Sequence, residues 1–157
     1  MRVRVTSKFV ENMTKEEKMA CAKFSLSGGK EVFSIKYPVM SGGRLRVWIA
    51  RVDDEIIGWS VCDMTNVAIN RRNDCSWPVK RVLFWAESGY EAAVMLNIKP
   101  KYRRRGIGTR MLKKAIAYGR SKKKAVRVFP HDDKSESFYS KMDVVVGKKT
   151  KLRKECC

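Results

Sequence analysis

The sequence predicts a mixed α/β domain, and three observations carry that expectation. Hydrophobic spacing switches several times between a period of two and a period near 3.6, as strands interleaved with amphipathic helices do. The 157 residues are 44% hydrophobic and 32% charged, enough apolar surface for one core and too short a chain for a second full domain. Neither Gly (10 residues) nor Pro (4 residues) is enriched, and no repeat or low-complexity linker occurs, which excludes fibrous and wholly disordered chains.

Each element follows from its local pattern. Residues 1–8 alternate, with Val3 and Val5 on one face, as an opening strand would. Thr14 and Glu17 form a capping box, so a helix is expected from there through about Phe24, with Gly28-Gly29 as its terminus. Two apolar runs, residues 45–52 and 55–62, flank Asp53-Asp54 and predict a hairpin. Residues 64–80 are polar and read as an irregular surface excursion, followed by a further sheet segment at 81–86. The apolar run 92–98 has the length of a buried strand, stopped by Pro100.

From Gly106 to about Arg120, Ile107, Met111, Leu112, Ala115, Ile116 and Gly119 fall on one helical side, and Arg110, Lys113, Lys114 and Arg120 on the other. A short strand at 125–129, a helix at 135–142 and a last strand at 144–146 complete the list. The expected organisation is one domain over residues 1–147 and a basic, flexible tail over 148–157.

Charge is the second clue. The chain holds 35 basic and 16 acidic residues, a formal net charge of +19, and the last 59 residues hold 20 of the basic and 5 of the acidic ones. Residues 99–127 carry thirteen Lys or Arg and no acid. Such a field attracts phosphate-bearing partners, whether a nucleotide cofactor, nucleic acid or an anionic surface. No apolar stretch approaches the roughly 20 residues a bilayer requires, and the N-terminus shows no secretory pattern, so a cytoplasmic protein with no membrane partner is expected.

Five cysteines, Cys21, Cys62, Cys75, Cys156 and Cys157, and the one histidine, His131, form no metal-ligand spacing, so no metal is expected. Free thiols are the favoured reading. Cys156-Cys157 behind a basic run has the form of a double-cysteine prenylation tail, yet the chain shows no accompanying P-loop.

The chemistry concentrates after the buried strand, in Lys99-Pro100-Lys101-Tyr102-Arg103-Arg104-Arg105-Gly106-Ile107-Gly108. Glycines at 106 and 108 would let backbone approach a ligand, and N–H groups at the helix start suit a diphosphate. Three arginines add charge-assisted bonds. A lone G-x-G after a strand is a weak signal, equally read as a plain turn among solvated charges.

Residues 94–112 as a block resemble the GNAT superfamily of acetyl-CoA-dependent acetyltransferases, with that family's Arg/Gln-x-x-Gly-x-Gly/Ala loop as Arg103, Gly106 and Gly108. A second block, residues 132–144, is similar to the family's Asn-turn and Phe-Tyr helix, with Phe138-Tyr139 matching. Departures are Asp132 for the usual Asn, Ser135 for the usual Ala, and Asp143-Val144 for the closing Gly-Phe.

The resemblance implies a central, mostly antiparallel mixed sheet that splays between two parallel strands, flanked by helices. It implies acetyl-CoA as co-substrate, with its arm inserted along Leu96, Asn97 and Ile98. The diphosphate would lie on Arg103, Arg104, Arg105, Gly106, Ile107, Gly108 and Thr109, with Asp132 and Ser135 nearer the arm. Tyr139 is then the candidate general acid for the departing thiol, against the plainer reading of a tyrosine packed under Phe138. An attacking amine must also shed a proton, and Glu91 is the candidate base, although it and Glu87 read equally as solvated loop acids. His131 is assigned a structural or surface role.

Acetyl-CoA can use only a few of the cations between 99 and 127. The remainder favour an amine presented on an acidic protein or on nucleic acid over a free polyamine, which a +19 chain repels. Two readings from other classes stand beside the N-acetyltransferase: a basic nucleic-acid-binding module that keeps the scaffold without turnover, and an inhibitor or adaptor for an acidic partner. The four tryptophans, Trp48, Trp59, Trp77 and Trp85, are open between core and acceptor groove.

Overall fold

The computed structural model describes residues 1–25, 33, 45–63, 91–123, 125–128, 133–142 and 144–146, and all statements below concern those residues. N-terminal alternation gives strand β1, Val3–Phe9, and a short 3-10 turn at Val10–Asn12 that the sequence did not announce. Helix α1, Lys15–Lys23, starts as expected: Thr14 Oγ1 accepts from the Glu17 N–H at 3.1 Å and Glu17 Oε1 accepts from the Thr14 N–H at 3.0 Å. It stops at Lys23, short of the predicted glycines, which lie outside the described residues. There the Ser25 amide and hydroxyl turn back onto the Ala22 and Cys21 carbonyls, closing the helix locally.

The predicted hairpin is β2, Leu45–Val52, and β3, Glu55–Asp63, turning at Asp53 with φ 52. Strand β4, Glu91–Ile98, begins one residue earlier than expected and runs into a 3-10 turn at Pro100–Tyr102. Helix α2 is Ile107–Ser121, β5 is Ala125–Val128, α3 is Asp133–Ser140, two residues ahead of its predicted start, and β6 is Val145–Val146. The expected segments at 64–80 and 81–86 and the tail at 148–157 lie outside the described residues.

The six strands pair in chain order, antiparallel from β1 to β4 and parallel from β4 through β5 to β6. The two parallel steps are spanned by α2 and α3, since parallel neighbours need a crossover. This is the mixed sheet with flanking helices that the sequence predicted.

Each face of the sheet carries its own core. On one, α2 lies across β2 to β5 and buries Ile107, Met111, Leu112, Ala115 and Ile116 against Trp48, Ala50, Ile57, Cys62, Val94 and Ile98. Those α2 residues are the ones its helical period selected. On the other, α1 and the N-terminal turn cover Val47, Ile49, Trp59, Val61 and Met95, with Phe33 edge-on to Trp59 at 4.9 Å. Trp48 and Trp59 are therefore core, whereas Trp77 and Trp85 lie outside the described residues.

A register shift between Ala50 and Arg51 leaves Ile57 as the extra residue of β3, so it joins the core under α2 and not the side of Trp59 and Val61 that unbroken alternation would give it. Cys21 and Cys62 are buried free thiols. No helix among the described residues is long and apolar enough to cross a membrane, and no group of three or more His, Cys, Asp or Glu is placed to hold a metal.

Candidate active site

The site is built where β4 leaves its parallel neighbour. Glu91, Ala92 and Ala93 pair with Ala125, Val126 and Arg127, and the ladder stops there although β4 continues to Ile98 and β5 to Val128. The backbone on the β3 side decides which groups face that opening. Lys99 N–H donates to the Ile57 carbonyl at 2.8 Å, which makes Gly58 and Ile98 a non-hydrogen-bonded pair of the antiparallel ladder. By alternation, Val94, Leu96 and Ile98 turn their N–H and C=O away from β3 and toward the β5 side. Amide groups of Leu96 and Ile98 thus edge the opening, with the geometry an added strand would need.

Gly58 fits the same pairing. A Cβ at that position would fall onto Ile98 Cδ1 and 3.1 Å from the Asn97 carbonyl oxygen, so the close approach of β3 to the end of β4 requires glycine.

The following loop is pinned at three points. Arg103 Nε donates to the Ile98 carbonyl at 2.8 Å, fastening the loop to the end of β4. Tyr102 is buried, and its hydroxyl donates to Glu55 Oε2 at 3.3 Å, while Lys99 Nζ donates to Glu55 Oε1 at 3.0 Å. Lys101 and Arg105 sit over the Tyr102 ring at 5.0 and 5.9 Å from its centroid. The hydrogen bond from Lys99 holds the Glu55 carboxyl below its ordinary range. Partners 47 residues apart leave no local trace, and sequence reading missed this anchor.

The two glycines do different work. Gly106 is the α2 N-cap at φ 75 with open space around its Cβ position, so the left-handed backbone is what demands glycine there. Gly108 faces β4 instead, and a Cβ would lie 3.3 Å from Leu96 Cδ2 and 3.6 Å from Ile98 Cγ1. Its smallness brings the start of α2 close to the edge strand. With no side-chain cap on Gly106, the first amides of α2 point outward with the partial positive charge of a helix start. Arg103, Arg104 and Arg105 are all exposed beside them, and Arg104 also has a positive φ of 63.

The other predicted residues divide. Tyr139 on α3 is 9% exposed and belongs to the same packed cluster as Val94, Ile98 and Val128, with the Phe138 ring at 5.3 Å. Ser135 is half-buried one turn before it. Thr109 is half-buried in the first turn of α2. Asn97 is turned to the opposite face, where its Nδ2 donates to the Phe24 carbonyl at 3.1 Å. Glu91 lies in the paired end of β4, five residues before Leu96 and so roughly 17 Å along the strand. Asp132 and His131 lie outside the described residues.

Comparison with known proteins agrees with this fold. Over residues 15–143 the sequence matches the acetyltransferase (GNAT) family. Among solved structures, the fold is similar to an aminoglycoside acetyltransferase from an uncultured soil metagenomic sample (17% identity, TM-score 0.57, 92% of each chain covered). It is also similar to a protein from Clostridium acetobutylicum described as a predicted acetyltransferase and solved with acetyl-CoA (12% identity, TM-score 0.57, 98% of this chain and 93% of that one). A ribosomal-protein-alanine N-acetyltransferase from Brucella melitensis biovar Abortus 2308 matches at 9% identity and TM-score 0.57, over 98% of this chain and 99% of that one. At such identities the likeness is one of fold. A comparison with curated protein sequences returned no match.

Proposed function

The chain belongs to the GNAT acetyltransferase family, and from that premise we propose that it is an N-acetyltransferase that moves the acetyl group of acetyl-CoA to a primary amine carried on an acidic macromolecule. The observation that carries this reading is the opening between β4 and β5 beside an arginine-rich helix start. The residues present fit the co-substrate: backbone groups of Leu96 and the Ile98 N–H for the amides of its arm, and the outward amides of residues 104–109 with Arg103, Arg104 and Arg105 for its diphosphate. Ser135, half-buried one turn before Tyr139, is a candidate for a further polar contact to the arm. When bound, acetyl-CoA supplies an acyl group already activated as a thioester.

The chain's own residues supply the rest. An edge-strand N–H at Leu96 or Ile98 stabilises charge that grows on an acyl oxygen. Tyr139 offers a phenol proton to a departing thiolate, and its burial in the core under α2 keeps bulk water from competing for that task. Glu91 is kept as the candidate base that takes the proton shed by the attacking amine, directly or through water.

An acidic carrier for the amine follows from the charge, since a chain of +19 repels a free polycation and concentrates a polyanion.

Titration calorimetry with acetyl-CoA and a transfer assay test the reading together. Wild-type protein is expected to bind acetyl-CoA and to acetylate a poly(Glu,Lys) copolymer faster than polylysine. Tyr139→Phe should bind acetyl-CoA equally well and transfer roughly 10²-fold more slowly. Failure of folded wild-type protein to bind acetyl-CoA would overturn the enzyme reading, and preference for polylysine would overturn the acidic carrier.

A further inference from the structure

Helix α2 buries one side completely, and the side left in water is cationic almost throughout. Arg110, Lys113, Lys114, Ala117, Arg120, Ser121, Lys122 and Lys123 are exposed, so among the described residues Ala117 is the one fully exposed apolar side chain along that face, with Tyr118 half-buried beside it. Among the described residues, Arg110, Lys113, Lys114 and Lys123 have no ion pair. Arg110, Lys114, Tyr118 and Lys122 stand at four-residue spacing and form one ridge, with steps of about 6 Å along the axis. From Arg110 to Lys123 the cations cover roughly 20 Å, against a phosphate every 3.4 Å along one strand of a duplex.

At its far end the ridge widens onto the sheet. Lys122 Nζ and the Arg46 guanidinium of β2 lie 5.6 and 5.4 Å from the Tyr118 ring centroid, and Arg46 also lies 4.9 Å over the Phe9 ring of β1.

We infer that the exposed face of α2, from Arg110 to Lys123 and onto Arg46, is a docking surface for the phosphate backbone of a nucleic acid, independent of base sequence. Three kinds of polyanion could be drawn to such a face, and its composition separates them. A protein partner needs an apolar anchor ringed by polar groups, and lysine is depleted at such interfaces. This face offers one alanine and the half-buried Tyr118 ring, which the cations of Arg46 and Lys122 already cover. An anionic membrane would hold an amphipathic helix by its apolar side, but Met111, Leu112, Ala115 and Ile116 are committed to the sheet. A nucleic acid backbone requires neither: a row of uncompensated cations binds it by releasing counterions, and such interfaces are the most polar and positive of the three. The inference does not depend on acetyl transfer, because the proposed co-substrate contacts end at Thr109 and the basic face begins at Arg110.

The test is fluorescence anisotropy without acetyl-CoA, using a short labelled RNA duplex of mixed sequence over a series of salt concentrations. Wild-type protein is expected to bind with a steep fall of log K against log salt. The triple variant Lys113→Gln, Lys114→Gln, Lys122→Gln should lose at least roughly tenfold in affinity at low salt and about 3 units of that slope. A far-ultraviolet circular dichroism spectrum like that of wild type and a cooperative thermal transition establish that the variant is folded, independently of acetyl-CoA. Equal binding and equal slope in the folded variant would overturn the proposal, moving any RNA affinity to other basic segments. Displacement of the RNA by polyglutamate at equal charge, or tighter binding to anionic phospholipid vesicles than to RNA, would overturn it in favour of an acidic protein or a membrane.

Discussion

Glu17 shows how one side chain can join three elements. It lies in the first turn of α1, is 9% exposed, and accepts hydrogen bonds from Lys8 Nζ of β1 at 2.8 Å, Arg51 Nη2 of β2 at 2.7 Å and the Thr14 N–H at 3.0 Å. Burial alone would raise its carboxyl above the ordinary 4.5. The hydrogen bonds from Lys8, the Thr14 amide and Arg51 outweigh that and hold it at about 2. Because the folded value lies below the unfolded one, the ionised form favours folding: the contribution is present above pH 4.5 and disappears as pH falls toward 2. Its size is about 3 kcal/mol. Glu17→Gln is therefore expected to be less stable by about that amount in urea unfolding at pH 7, with the difference shrinking as pH approaches 2. A difference that stayed constant with pH would mean the substitution acts through packing. One turn further on, Cys21 is buried, and burial first, then the Glu17 charge, pushes its thiol up to about 12. That thiol is a packing group, not a nucleophile.

Elements are held to each other by a few polar contacts that cross between cores and strands. The end of α1 is tied to β3 by a relay in which the buried Trp59 Nε1 donates to Ser25 Oγ at 2.9 Å and Ser25 Oγ donates to the Cys21 carbonyl at 2.5 Å. Ser25→Ala would leave the indole N–H buried without its acceptor and should cost about 1–3 kcal/mol in chemical unfolding. Adding Trp59→Phe should cost less than the two single losses combined, because the second change removes the stranded donor. Additive costs would show that the relay contributes nothing of its own. Such contacts also mark what the sequence could and could not disclose. The buried side of α2 was readable residue by residue, and so was the start of α1, because helical period and a capping box are local. The stop of α1 at Lys23 fell within a residue of the expected Phe24, but its cause, Ser25 meeting both Cys21 and Trp59, left no local trace. The change of phase at Ile57, which puts it on the opposite side from Trp59 and Val61, was equally hidden, because a bulge depends on the partner strand. In the candidate site the loop was legible through its glycines and arginines. Its fastening by Arg103 to Ile98 and by Tyr102 to Glu55, and the turn of Asn97 away from α2, required the folded chain.

At the scale of the whole molecule, one quantity acts with opposite sign on folding and on binding. A net charge of +19 in 157 residues repels itself in the compact state, and the imbalance is greatest where residues 99–127 carry thirteen cations without an acid. Added salt shortens the reach of that repulsion, from about 30 Å at 0.01 M to about 8 Å at 0.15 M. The ion pairs of Glu17 with Lys8 and Arg51 are short and mostly enclosed, so they are screened far less than charges spread over the surface. Sodium chloride over that range is therefore expected to raise the thermal midpoint, by roughly 2–4 °C for each kcal/mol of repulsion relieved. The same additions should weaken RNA binding steeply, since each phosphate contact loses its gain from released counterions as the bulk concentration climbs. Scanning calorimetry and anisotropy on one salt series measure the two trends side by side. A midpoint that fell with salt would mean that favourable ion pairs outweigh the excess positive charge, and the basic face of α2 would then be compensated within the chain and not poised for a polyanion.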